Sequence, residues 1–124
     1  MTDAIDRLYE AVLAARRADP TQSRTARLLR AGRGKMAKKL AEEAVEVVID
    51  AMNGERAAVV GESADLIYHL VVLWVAAGLR PDEVWAEMAR RERLLGIAEK
   101  MPKNAARAGR RVVALETRRV RKRR

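Results

Sequence analysis

The stretch "GESADLIYHLVVLWVAAG", residues 61–78, decides how the rest of this chain is read. It shows no sustained strand alternation, and Gly78 closes it as a glycine closes a helix. On a helix, Glu62, Asp65 and His69 follow one another at spacings of three and four and share one face. A carboxylate on so apolar a segment is costly unless it is paired, hydrogen-bonded or bound to a metal. The stretch therefore poses a choice between a solvated polar stripe and a site.

Working outward, every punctuation mark is helical. Asp3 can cap a first helix that runs to Asp19-Pro20, since the residue before proline avoids the α region. Ser23 can cap a short helix, "RTARLLRA", closed by Gly32. A third helix is expected from Lys35 to Met52, with Asn53-Gly54 as its stop. A fourth runs from Arg56 to Ala77, closed by Gly78, with Gly61 in its first turns. Arg80-Pro81-Asp82-Glu83 starts a fifth, proline in first position and two acids favourable to the helix dipole, which ends near Gly96. No strand alternation with hairpin turns and no glycine-rich phosphate loop appears. The fold class is all-α, a helical bundle. Because the fourth helix is apolar nearly all round, it calls for burial on several sides, and a chain of 124 residues has few ways to surround it. A homodimer is expected.

The absence of cysteine rules out disulfides and thiolate metal sites and fits a reducing compartment. The N-terminus lacks a secretory pattern, and the longest apolar run, Leu70 to Ala77, is short for a bilayer span. A cytoplasmic protein without a membrane partner is the expectation. The net charge of +9 is unevenly placed: residues 102–124 hold ten Lys/Arg and one acid, while residues 1–101 are balanced. This divides the chain into a body, 1–101, and a basic extension, 102–124, in which a short helix around "VVALE" is expected. Within the body, residues 1–39 carry +6 and residues 40–101 carry −6. Cations and carboxylates could thus surround one anionic, metal-bound ligand, or simply pair across the surface.

On the third helix Met36, Leu40, Ala44, Val47 and Ala51 make an apolar face. Lys39, Glu43, Glu46 and Asp50 make a charged stripe beside it, next to Glu42. A short turn packs the third and fourth helices antiparallel, so Glu43/Glu46 can face Glu62/Asp65 as two pairs. Four converging carboxylates form a hard, oxygen-only cage suited to Mg²⁺, with Mn²⁺ as a substitute, and Mg²⁺ is commonly completed by substrate phosphates. The plainer reading of each residue also stands: charged stripes on bundle helices are mostly solvated, and a lone His69 is more often part of a core than a ligand.

The spacing EExxE at 42–46, then fifteen residues, then ExxD at 62–65, resembles the MazG-type all-α nucleoside triphosphate pyrophosphohydrolases. More narrowly, "KKLAEEAVE" at 38–46 and "ESADLIYH" at 62–69, with "GIAEK" at 96–100, are similar to the phosphoribosyl-ATP pyrophosphohydrolase family of histidine biosynthesis. That resemblance spans about residues 4–100. It implies an oligomeric all-α enzyme that uses Mg²⁺ to hydrolyse phosphoribosyl-ATP between its α and β phosphates. It further implies metal ligands at Glu43, Glu46, Glu62 and Asp65. Glu42, with Glu43 the catalytic pair, would be a further ligand or would orient the attacking water. Lys35, Lys38 and Lys39 would face the phosphates, with His69 in a supporting role at the substrate. Two features depart from the pattern. Arg24 stands where an aromatic residue commonly lies, and the basic extension follows where family members commonly stop. They keep two alternatives open: a related pyrophosphohydrolase of another nucleoside triphosphate, or a protein that binds nucleic acid or another polyanion through 102–124.

Overall fold

The computed structural model describes residues 3–96, and five α-helices account for nearly all of them. They are α1 (Asp3–Ala15), α2 (Arg24–Ala31), α3 (Arg33–Met52), α4 (Arg56–Ala77) and α5 (Pro81–Leu95). No strand occurs among the described residues. The basic extension 102–124, the helix expected around "VVALE" and the "GIAEK" stretch from residue 97 onward lie outside them.

The helix ends follow from local chemistry. α1 stops at Ala15, earlier than Asp19-Pro20 would require, because residues 16–18 tighten into i→i−3 bonds such as Arg16 N to Leu13 O at 3.2 Å. Asp19 then organises the turn, its Oδ1 accepting from both N and Oγ1 of Thr21 at 2.9 Å, and these bonds hold its carboxyl below the usual range. Ser23 caps α2, its Oγ accepting from Ala26 N at 3.0 Å. Gly32 closes α2, as the sequence predicts. At φ 99°, ψ 168° it takes a conformation open essentially to glycine alone, and by itself joins α2 to α3, which begins two residues earlier than expected.

α3 and α4 are joined by Asn53, Gly54 and Glu55. Gly54, at φ 70°, lets its own N–H reach Ala51 O and the Glu55 N–H reach Asp50 O, so the last carbonyls of α3 are satisfied as the chain reverses. Gly78 ends α4 by the same device, with bonds from Gly78 N to Val75 O and Leu79 N to Trp74 O. Tyr9 Oη donates to Leu79 O at 3.0 Å and ties α1 to that end. At the start of α5, Glu83 reaches back to accept from Arg80 N at 3.1 Å.

Backbone packing divides the chain into two compact units, residues 1–83 and a second that begins at Val84 within α5. In the first, α3 and α4 form the most extensive pair. The core joins Tyr9 and Val12 of α1, Leu28 of α2, Met36 of α3, and Val71, Val72 and Val75 of α4. Each such side chain contributes about 1.5–3 kcal/mol when fully buried. This cluster fixes the rotation of α3 and α4 about their axes, and so decides which carboxylates meet. In the second unit, Glu87 accepts from Nε and Nη2 of Arg90 and from Nε of Arg91 at 2.8–2.9 Å, which pulls its carboxyl down to about 2.

Burial on several sides of α4 is only partly met within one chain. Its buried residues, His69, Val71, Val72 and Val75, all lie in the C-terminal half. Toward its start Val60 is exposed, and on α3 Val45, Val48, Ile49 and Met52 are exposed at positions one, four, five and eight of a helical stripe. By length and composition alone α4 is apolar enough to cross a membrane, a test that the core helix of a soluble protein also passes.

Candidate active site

The acidic half of the site is built on facing turns of α3 and α4. Carboxylate oxygens of Glu43, Glu62 and Asp65 all lie within 4.8 Å of one another. Glu43 and Glu62 are half-buried, and Asp65 is exposed at the mouth. Oε1 of Glu43 and Oε1 of Glu62 are fully buried and have no hydrogen-bond partner. Hydrogen bonding to the Glu43 carboxyl, then to that of Glu46, raises Glu62 from 4.5 to about 7, with burial and the like charges adding to the effect. Neighbouring carboxylates with orphaned buried oxygens offer the all-oxygen donors that a hard divalent cation takes. Mg²⁺ and Mn²⁺ fit these residues.

Glu46 is exposed and stands outside this group of three, joining it through Glu62. Glu42 is also outside. It is exposed, with Oε1 3.7 Å from Lys39 Nζ. The four-carboxylate cage therefore resolves into three converging groups with Glu46 at the edge.

His69 borders the acidic group on the inner side. It is 2 % exposed, and its Nε2 lies 3.9 Å from Glu43 Oε2, beyond hydrogen-bond reach. Its Nδ1 is buried without a partner. Burial pushes the imidazole below its ordinary range. Glu43 and Asp65 oppose that shift, while Arg24 and Lys39 reinforce it. The Tyr68 ring meets His69 edge-on at 4.9 Å, and the Tyr68 hydroxyl shares a hydrogen bond with Thr25 Oγ1.

On its other side His69 lines a pocket of about 570 Å³ between α2 and α3. Arg24, Arg27 and Arg30 enter it from α2, and Lys35 and Lys39 from α3. No acidic residue lines it. Lys35 and Lys39 thus stand where the sequence expects phosphate ligands, while Lys38 is exposed and outside the pocket. The three arginines were not singled out as ligands from sequence. Their signal is the spacing of three in "RTARLLR", which sets them along one side of a short helix.

A three-carboxylate group beside a five-cation pocket, on an all-α scaffold, has the make-up of a site that hydrolyses polyphosphate esters. Residues 5–92 match the family described as phosphoribosyl-ATP pyrophosphohydrolase. The chain is 65% identical over 131 residues to "Phosphoribosyl-ATP pyrophosphatase 2" of Rhodopseudomonas palustris, with 100% of both chains aligned. It is 61% identical over 133 residues to the protein of the same name from Bradyrhizobium diazoefficiens, covering 99% of each. The "Phosphoribosyl-ATP pyrophosphatase" of Granulibacter bethesdensis is 55% identical over 96 residues, 77% of this chain and 60% of that one. The chain belongs to the phosphoribosyl-ATP pyrophosphohydrolase family. The first two of these relatives align through the basic extension as well as the body.

Proposed function

We propose that this chain adds water across the bond between the α and β phosphates of phosphoribosyl-ATP, releasing phosphoribosyl-AMP and pyrophosphate, with Mg²⁺ held by Glu43, Glu62 and Asp65 and with Glu46 beside them. The observation that carries this reading is the junction of the acidic group and the cationic pocket at His69. A substrate whose charged phosphates meet the cation at one point and lysines at the next spans that junction. Hydrolysis of a phosphoanhydride asks for positioning and charge neutralisation more than for covalent catalysis. Bound at the carboxylates, the ion would neutralise phosphate charge and polarise the phosphoryl group.

The chain's own residues do the rest. Lys35 and Lys39 receive the polyphosphate from the pocket side. Glu42, held beside Lys39, orients the attacking water and can take its proton. Neutral His69 closes the inner wall without adding a charge between the two halves.

The second copy of a homodimer is the proposed cover for the apolar stripe of Val45, Val48, Ile49 and Met52. Val48→Asp is expected to leave a monomer in size-exclusion chromatography with light scattering. An unchanged dimer, or a wild-type monomer, would remove that part of the reading. The function itself is tested by pyrophosphate release from phosphoribosyl-ATP with and without Mg²⁺, against ATP, dCTP and dUTP. Fast Mg²⁺-dependent release from phosphoribosyl-ATP is expected. Preference for another nucleotide would overturn the substrate assignment.

A further inference from the structure

The cations of the pocket are held in two different ways. Lys39 is drawn toward a carboxylate, Glu42 at 3.7 Å, on the helix that carries the acidic group. Arg24 and Arg27 are held by neutral partners. The Arg24 guanidinium lies 5.8 Å from the centroid of the Tyr68 ring, and Thr25 anchors that ring through its hydroxyl. Arg27 donates from Nη1 to Pro20 O at 2.8 Å, in the loop before α2. A ring face and a carbonyl position a guanidinium without cancelling its charge. Both are exposed, and among the described residues neither pairs with a carboxylate, so both present uncompensated donors to an acid-free concavity.

The substrate carries charge at two places. Its triphosphate is at one end, and the phosphoribosyl group adds a phosphate monoester at the other. The monoester bears about −1.5 to −2 charge near neutral pH and three strong acceptor oxygens. Planar guanidinium forks match that group better than point-charge lysines do. Resting on the substrate proposed above, we propose that Arg24 and Arg27 form the seat of the distal phosphate monoester, with Lys35 and Lys39 left to the triphosphate. Arg24 and Arg27 are then this chain's own contacts to the second phosphate, which ordinary nucleoside triphosphates lack.

The test is a comparison of two substrates, phosphoribosyl-ATP and the same compound with its monoester phosphate removed, on wild type, Arg24→Ala, Arg27→Ala and Arg24→Lys. For the alanine variants kcat/KM on phosphoribosyl-ATP is expected to fall about 10- to 100-fold, chiefly through KM. On the dephosphorylated compound the same variants should lose less than about 3-fold. Arg24→Lys should recover part of the loss, since it keeps charge but not the fork. Equal losses on both substrates would overturn the inference and assign the arginines to the triphosphate or to folding. No loss on either would overturn it too. If wild type itself fails to turn over phosphoribosyl-ATP, the underlying substrate reading falls and takes the inference with it, an outcome visible before any variant is made.

Discussion

The acidic group and the cationic pocket meet at His69, yet they hold their charges by opposite means. The carboxylates are crowded within 4.8 Å, with two orphaned oxygens and a Glu62 that keeps its proton to about 7. Like charges that close are tolerable only with a proton or a cation among them. The pocket spreads five cations around about 570 Å³, on long side chains tethered by a ring, a carbonyl and one carboxylate. Both halves gather like charges, one at close range and the other spread around a cavity. On the function proposed above, that difference divides the work: the crowded half would take a small hard cation, and the open half an extended anion.

The largest break in this comparison should come from the crowded half. Glu62→Gln or Asp65→Asn is expected to lower kcat on the order of 10³-fold, with the helical circular dichroism spectrum intact. Glu46→Gln is expected to fall with them, and near-wild-type turnover in it would leave a site of three carboxylates alone. Next in size is Lys39→Ala, which removes one cation of several. Its kcat/KM should drop about 10- to 100-fold, and added salt should narrow the gap from wild type.

The smallest effect concerns stability and carries a definite sign. Glu62 is raised in the fold from 4.5 to about 7, so the folded state binds the extra proton. The contribution of Glu62 to the stability of the metal-free protein is therefore fully present below pH about 4.5 and is lost as pH rises through about 7. Thermal melts from pH 4.5 to 8 check this. Glu62→Gln should flatten the decline, and saturating Mg²⁺ should offset it at the alkaline end, by about 2.7 kcal/mol when its concentration is 100 times Kd. A metal-free protein that gains stability over that range would contradict the shared proton.

Much of this was legible before any coordinates. Ser23, Gly54, Gly78 and Pro81 mark helix ends by rules that involve only a few neighbouring residues, and four of the five helices begin or end where those residues stand. The pairing of Glu43 with Glu62 and Asp65 was legible too, because helical spacing and a three-residue turn constrain both partners. Gly32 ends α2 where the sequence places that end, but its ψ of 168°, which starts α3 at Arg33 rather than Lys35, depends on where α3 must go next. Arg24 was read as a departure from a pattern rather than as a pocket residue. Its partner Tyr68 is forty-four residues away, and nothing local links them.

By itself, then, the amino-acid order determined the all-α class, the extents of α2 and α4, the carboxylate spacing and the uneven charge. These depend on backbone hydrogen bonds and side-chain periodicity within a few turns. Only the tertiary structure decided that three carboxylates converge while Glu46 stays at the edge, that five cations share one cavity with His69 as its wall, and that an apolar stripe on α3 is left uncovered. Those outcomes depend on how far each helix is rotated about its axis, and that rotation is set by the packing of Tyr9, Val12, Leu28, Met36 and the three valines of α4 in one core.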